Sequence, residues 1–204
     1  ANIDDFLLEN WLEDSSKTVK DILVEQISFI GENLSIRRFE KVEAKNGCVV
    51  SYLHGGGRIG VLIEAETIVV NDRVKEALMN LAMQVAALSP KYVSQDEVSE
   101  EYKNHEKEIL LAQAKLENPE KPDSIIEKMI IGRLNKELKE VCLCEQVYVK
   151  AEDGKQTVDA YLKQISKEVG SDIVVKRFVR FETGEGIEKK EENFAAEVAK
   201  QMGK

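Results

Sequence analysis

The chain has 204 residues, with 29 Lys and Arg against 38 Asp and Glu, for a net charge of -9. That balance excludes a basic nucleic-acid coat as the main feature, and 43% hydrophobic with 33% charged residues excludes a disordered chain. Length and mass fit one domain or two small ones with a sizeable core. Three cysteines, Cys48, Cys142 and Cys144, are an odd number in a chain too long to need disulfide staples, so a reducing compartment, the cytoplasm, is expected. No apolar run is long enough to span a membrane, and the opening carries no basic-then-apolar signal. Phe6-Leu7-Leu8 and Trp11-Leu12 already need burial and no initiator Met precedes them, so the sequence reads as a fragment.

Taken in chain order, Val19, Ile22, Leu23, Ile27 and Ile30 recur at helical spacing after Ser16 and Thr18 and stop at Gly31, which predicts a capped helix over 18–30. The period then shortens to two. Leu34 to Glu43 alternates like a strand, Asn46-Gly47 is a hairpin signal, Val49 to Leu53 is a second strand, and Arg58 to Ala65 a third. Residues 73–88 return to helical period and Pro90 closes them. Val98, Tyr102, His105, Ile109, Ala112 and Leu116 are spaced as a heptad seam. Asn118-Pro119-Glu120-Lys121-Pro122 breaks that helix, and Ile126, Ile130, Leu134, Leu138 and Val141 mark a second one, with Ser124 as a candidate cap and Glu127 three residues on. Two such helices form an antiparallel hairpin whose charged flanks suit a projecting arm. Cys142-Leu143-Cys144 reads as strand packing, since no four-ligand zinc spacing can be drawn with only His54 and His105 available.

Part of the first unit recurs 139 residues later. Laying Thr18–Glu43 on Thr157–Glu182 without gaps matches Thr18/Thr157, Val19/Val158, Leu23/Leu162, Gly31/Gly170, Arg38/Arg177, Phe39/Phe178 and Glu43/Glu182. The matches keep a helix, its glycine stop and a strand in one order, which reads as a two-copy duplication. The expected fold class is therefore α+β, with two related helix-plus-antiparallel-sheet subdomains and an inserted antiparallel coiled-coil hairpin. Residues 1–97 form the first core subdomain, 98–141 the hairpin, 142–184 the second core subdomain and 185–204 a terminal helix. That helix carries Ile187, Phe194, Val198 and Met202 as an apolar stripe.

The search for catalytic chemistry is thin. His54 is the one imidazole beside glycines, and His105 is placed on the seam. His54-Gly55-Gly56-Gly57-Arg58-Ile59-Gly60 lacks the order of a phosphate loop and links two expected antiparallel strands instead of opening a helix. It reads as a tight turn or bulge followed by an interior strand, with Gly60 allowing close approach of another backbone, or equally as an exposed binding edge. Arg177 to Phe181 alternates with basic groups on one face, then Gly184-Glu185-Gly186-Ile187 opens the terminal helix. The residues alone favour a cofactor-free protein-binding role over catalysis.

Thr18-Val19, Ile30-Gly31-Glu32-Asn33, Ile36-Arg37-Arg38-Phe39, His54-Gly55 through Arg58-Ile59-Gly60-Val61-Leu62, Ala82-Met83 with Ala86-Ala87 and Pro90, Glu145-Gln146, and Val179-Arg180-Phe181 through Lys189 lie in one order along nearly the whole chain. Together they resemble bacterial and organellar elongation factor Ts, the guanine-nucleotide exchange factor of elongation factor Tu. The resemblance implies binding to elongation factor Tu, both GDP-bound and nucleotide-free, and GDP release through disturbance of its magnesium and phosphate region. It implies no covalent chemistry, no cofactor or metal, no direct nucleotide binding, and no DNA or membrane partner. It leaves a homodimer or a 2:2 complex open. The partner-binding residues it implies are His54, Gly55, Arg58, Ile59 and Gly60, with Gly184, Glu185, Gly186, Ile187, Phe194 and Val198. Two departures stand out. The family's N-terminal ubiquitin-associated-like domain and Thr-Asp-Phe-Val motif are absent from this sequence, so reduced or lost exchange is expected beside surviving partner binding. Gln84 stands where the family's Ala-Met-His pattern places histidine, and glutamine keeps a hydrogen bond but cannot charge.

Overall fold

The computed structural model describes residues 2–187. The chain packs as two compact units, one over residues 1–45 and one from residue 46 onward. In the first unit, α1 (Ile3–Leu8) is capped by Asn2 and α2 (Val19–Ile30) by Thr18. Thr18 accepts from the Asp21 amide while the Asp21 carboxylate takes the Thr18 amide, a reciprocal box that satisfies two otherwise orphaned donors. Gly31 ends the helix at φ 78°, a conformation that a β-carbon disfavours.

The expected strand over 34–43 does not form, and residues 33–44 carry no regular secondary structure. Leu34, Ile36, Phe39 and Val42 are half-buried nonetheless, with Phe39 stacked on Phe6 at 4.4 Å between ring centroids. Alternation reports which side chains find shelter and says nothing of whether the backbone finds a ladder partner. The Asn46-Gly47 signal is thereby reassigned. Gly47 has φ 130°, and a β-carbon there would lie 2.0 Å from the Ala65 carbonyl oxygen, so this glycine serves a close strand approach and not a hairpin turn.

The second unit contains β1 (Gly47–His54), β2 (Ile59–Glu66), α3 (Asp72–Leu88), α4 (Glu100–Glu117), α5 (Asp123–Val141), α6 (Val158–Val169) and β3 (Val174–Glu182). The strands form one antiparallel sheet in the order β1-β2-β3, so the third strand comes from the segment assigned by sequence to the second subdomain. The α+β class holds, with one three-stranded sheet among the described residues. Val50, Val61, Ile63 and Ala65 line one face of that sheet. They pack with Val74, Leu78, Leu81 and Val85 of α3, and with Val158, Leu162 and Ile165 of α6. The sheet needs both helices because one apolar face must be covered along its length. The helices at the start of the two matched segments share their length and both ends. α6, like α2, has 12 residues, a threonine cap (Thr157) and a left-handed glycine stop (Gly170, φ 70°).

α4 and α5 form the expected antiparallel hairpin. The α5 stripe is as predicted, with Ile126, Ile130 and Leu138 buried. Its cap is not: α5 starts at Asp123 after Pro122, with no side-chain cap bond. On α4 the seam holds at Val98 and Tyr102, which pack with Leu134, Leu138 and Cys142. Farther along, the inward positions are Leu110, Leu111 and Ala114, while His105, Ile109, Ala112 and Leu116 face solvent. Ala114 wins the inner face because a small side chain lets the neighbouring helix come close. Cys142-Leu143-Cys144 is also not a strand. Leu143–Glu145 is a 3₁₀ turn, and only a single bridge pairs Tyr92 with Cys142.

Candidate functional site

β1 and β2 are joined by Gly55–Gly57, one 3₁₀ turn with φ of 60°, 67° and 94°. Three successive left-handed residues explain the run of glycines, since each β-carbon would add strain. The turn joins antiparallel strands and opens no helix, as its residue order implied. The ladder sets His54 opposite Ile59 and Leu53 opposite Gly60, then Gly60 opposite Phe181 and Ile59 opposite Glu182. β3 leaves the sheet at that same end. The Thr183 amide donates to the Arg58 carbonyl at 2.9 Å, and Gly184 and Gly186, at φ 76° and 71°, fold the chain back so that Ile187 donates to Gly184.

Two segments that lie more than 120 positions apart are thus stitched together. His54, Gly55, Arg58, Ile59 and Gly60 share one end of the sheet with Gly184, Glu185, Gly186 and Ile187. Phe194 and Val198, and the helix expected from Ile187 onward, lie outside the described residues. Gly60 departs from its expected role inside the fold. Its φ is not left-handed, and a β-carbon would meet only the Leu53 Cδ2 at 3.6 Å, so no backbone among the described residues requires glycine there.

This end of the sheet exposes apolar side chains beside charged ones. Leu53 is 73% exposed and Ile187 56%. His54 Nδ1 and the Tyr52 hydroxyl share a hydrogen bond of 2.9 Å. Glu182 sits between two cations: its carboxylate accepts from Arg180 Nη2 at 2.8 Å and lies 3.7 Å from Arg58 Nε. Arg180 also donates to the Ala86 carbonyl near the end of α3 at 3.4 Å, where the helix dipole favours a cation. Sequence reading missed Tyr52, Leu53, Glu182 and Thr183. The signal that finds them is the pairing register, which only a structure supplies.

The cysteines offer no reactive thiol. Burial pushes Cys142 up to about 11 and Cys144 up to about 12, with the Glu145 carboxylate adding to both. Among the described residues no group of His, Cys, Asp and Glu has the arrangement to hold a metal, and no helix is long and apolar enough to cross a membrane. A cavity of about 770 Å³ lined by Val93, Cys144, Leu162 and Ile173 lies away from the sheet end and includes none of the candidate residues.

Residues 2–185 match the family model described as Elongation factor TS. The chain is 49% identical over 202 residues to an elongation factor Ts of Clostridium kluyveri, covering 99% of this chain and 65% of that protein. It is 51% identical over 191 residues to one from Clostridium botulinum, covering 94% and 62%. With an elongation factor Ts of Clostridioides difficile it shares 55% over 185 residues, covering 91% and 59%. It therefore spans about three fifths of the length of these curated relatives. A family match over nearly all the described residues, together with the motifs gathered at the sheet end, places this chain in the elongation factor Ts family.

Proposed function

We propose that this chain docks on elongation factor Tu through the sheet end built from His54–Gly60 and Thr183–Ile187, and that the docked complex favours release of GDP from the partner. The observation that carries the reading is the joining of these two distant segments by the Thr183–Arg58 hydrogen bond, in a member of the elongation factor Ts family. No bond is made or broken in this activity. A protein that weakens nucleotide binding must itself be bound less tightly when nucleotide is present, so the mechanism is a coupling free energy between two sites on the partner. The terminal segment with Phe194 and Val198 is proposed to extend the contact toward the partner's nucleotide domain.

Release of a fluorescent GDP analogue from elongation factor Tu, measured with and without the chain and beside direct binding, tests this. Faster release supports docking and exchange together, binding alone leaves a docking core, and no binding overturns the reading. Gly60→Ala sharpens the test. The fold leaves room for the methyl group, and alanine lowers the entropy cost of a strand glycine, so thermal stability should rise by about 0.5–1 kcal/mol. A partner resting on Gly60 would feel the same methyl group as a clash and bind several-fold more weakly.

A second reading, a scaffold acting through the arm, is favoured by the outward stripe of Ile109 and Leu116, 39% and 84% exposed. Removing residues 98–141 should abolish partner capture if the arm carries it, and changing Phe194 should then matter less.

A further inference from the structure

Glu182 belongs to no motif that the sequence singled out for binding, yet it holds the centre of the sheet end. Its side chain is 30% exposed, between Arg180 at 14% and Arg58 at 70%. One carboxylate oxygen, Oε2, is taken by Arg180, a nearly buried cation that also donates to the Ala86 carbonyl at the end of α3. The other, Oε1, faces Arg58 Nε. The backbone below is fixed as well, since Ile59 and Glu182 are cross-strand partners and the Thr183 amide donates to the Arg58 carbonyl. Arg58 is thereby fixed at its main chain, and its Nε lies within ion-pair reach of the carboxylate at 3.7 Å. Among the described residues its guanidinium meets no other side chain.

We propose that Glu182 is a positioning residue for docking, holding Arg58 so that its terminal amino groups meet an acidic side chain of the partner protein. The inference rests on the docking reading above. A planar guanidinium drawn toward a carboxylate at Nε still presents at its two terminal nitrogens the paired donors that fit a second carboxylate. A lone acidic side chain suits this surface better than a polyanion does, because the chain carries a net charge of -9 and Glu182 itself lies beneath the arginine. Holding the side chain beforehand lowers the entropy lost when the partner arrives.

The test is a double-mutant cycle on the affinity for GDP-bound elongation factor Tu, measured at low and moderate salt with Arg58→Ala, Glu182→Gln and the double variant. Arg58→Ala is expected to weaken binding about fivefold and to flatten its salt dependence, and Glu182→Gln about threefold. The double variant should bind no more weakly than Arg58→Ala, because Glu182 acts through Arg58. Arg58 is exposed, so its variant folds. If Glu182→Gln melts below the assay temperature, Glu182→Asp keeps the charge with a shorter reach and should show the same non-additivity. Losses that multiply, or an unchanged affinity in Arg58→Ala, overturn the proposal while wild-type binding stays intact. Absence of binding by the wild-type chain overturns the docking reading instead, and this one with it.

Discussion

Gln84 has none of its surface exposed, yet it is polar, and three hydrogen bonds engage its carboxamide. Nε2 donates to Gln146 Oε1 at 3.0 Å and to the Val147 carbonyl at 3.2 Å, and Oε1 accepts from the Val149 amide at 3.1 Å. Gln146 in turn donates to the Glu140 carbonyl at 2.7 Å, near the end of α5. The residue pins the 146–149 segment to α3. Gln84→Leu takes a partner from the Gln146 carboxamide oxygen, the Val147 carbonyl and the Val149 amide and should cost about 2–4 kcal/mol, read as a lower urea midpoint at unchanged m-value. Gln84→His supplies one donor and one acceptor where three bonds now stand, so a smaller loss is expected, about 1 kcal/mol. The sequence pointed to Gln84 only as a departure from a family pattern. Its burial and its partners were not legible, because they depend on a segment more than 60 positions away. The glycines divide in the same way. Gly31 was readable as a helix stop from the apolar run before it, whereas Gly47 looked like a turn until the Ala65 carbonyl came into view.

At the scale of elements, helix ends were the most legible features. Thr18 and Thr157 precede matching apolar runs, and both cap their helices with a side-chain oxygen. Thr157→Ala should lower stability by about 1 kcal/mol in a thermal melt, since the Ala160 amide loses its acceptor. Periodicity succeeded on α5 and lost its phase on α4, where two apolar stripes compete and the sequence cannot say which one meets a neighbour. The inner α4 face also carries charge close to α5. Burial raises the Glu137 carboxyl above its ordinary value of 4.5, and Glu106 reinforces the shift, with Glu140 adding to it and Lys91 opposing it. A carboxyl with a raised folded value binds its proton more tightly when folded, so stability from this group grows as pH falls from neutrality through that value. Glu137→Gln should therefore raise the hairpin's melting temperature at pH 7 and remove this group's share of the gain that the wild type shows on mild acidification.

For the whole molecule, the α+β class and the helical hairpin could be read from residue order, but the single sheet could not. Two copies of a helix-and-strand pattern suggested two sheets. In the structure β3 completes the ladder begun by β1 and β2, and the matching segment 34–43 carries no strand. Pairing between segments more than 100 positions apart leaves no local trace in sequence. The hairpin is an insertion in the physical sense too. Tyr92 and Val93 accept from Leu143 and Cys144 at 2.9 Å, so the chain leaves and re-enters the core at neighbouring points. Replacing residues 99–140 with a short glycine-rich link should leave the remaining core folded, with a cooperative melt and retained near-ultraviolet dichroism. The same topology has a consequence for biosynthesis. β2 receives β3 only when residues 174–182 have cleared the ribosome, long after β1 and α3 have emerged. Through most of translation one edge of β2 is an open template beside Val61 and Ile63, a state in which chains of neighbouring ribosomes can pair with each other. Nascent chains halted before residue 174 should accordingly be captured by holdase chaperones, and chains halted once β3 has emerged should escape them.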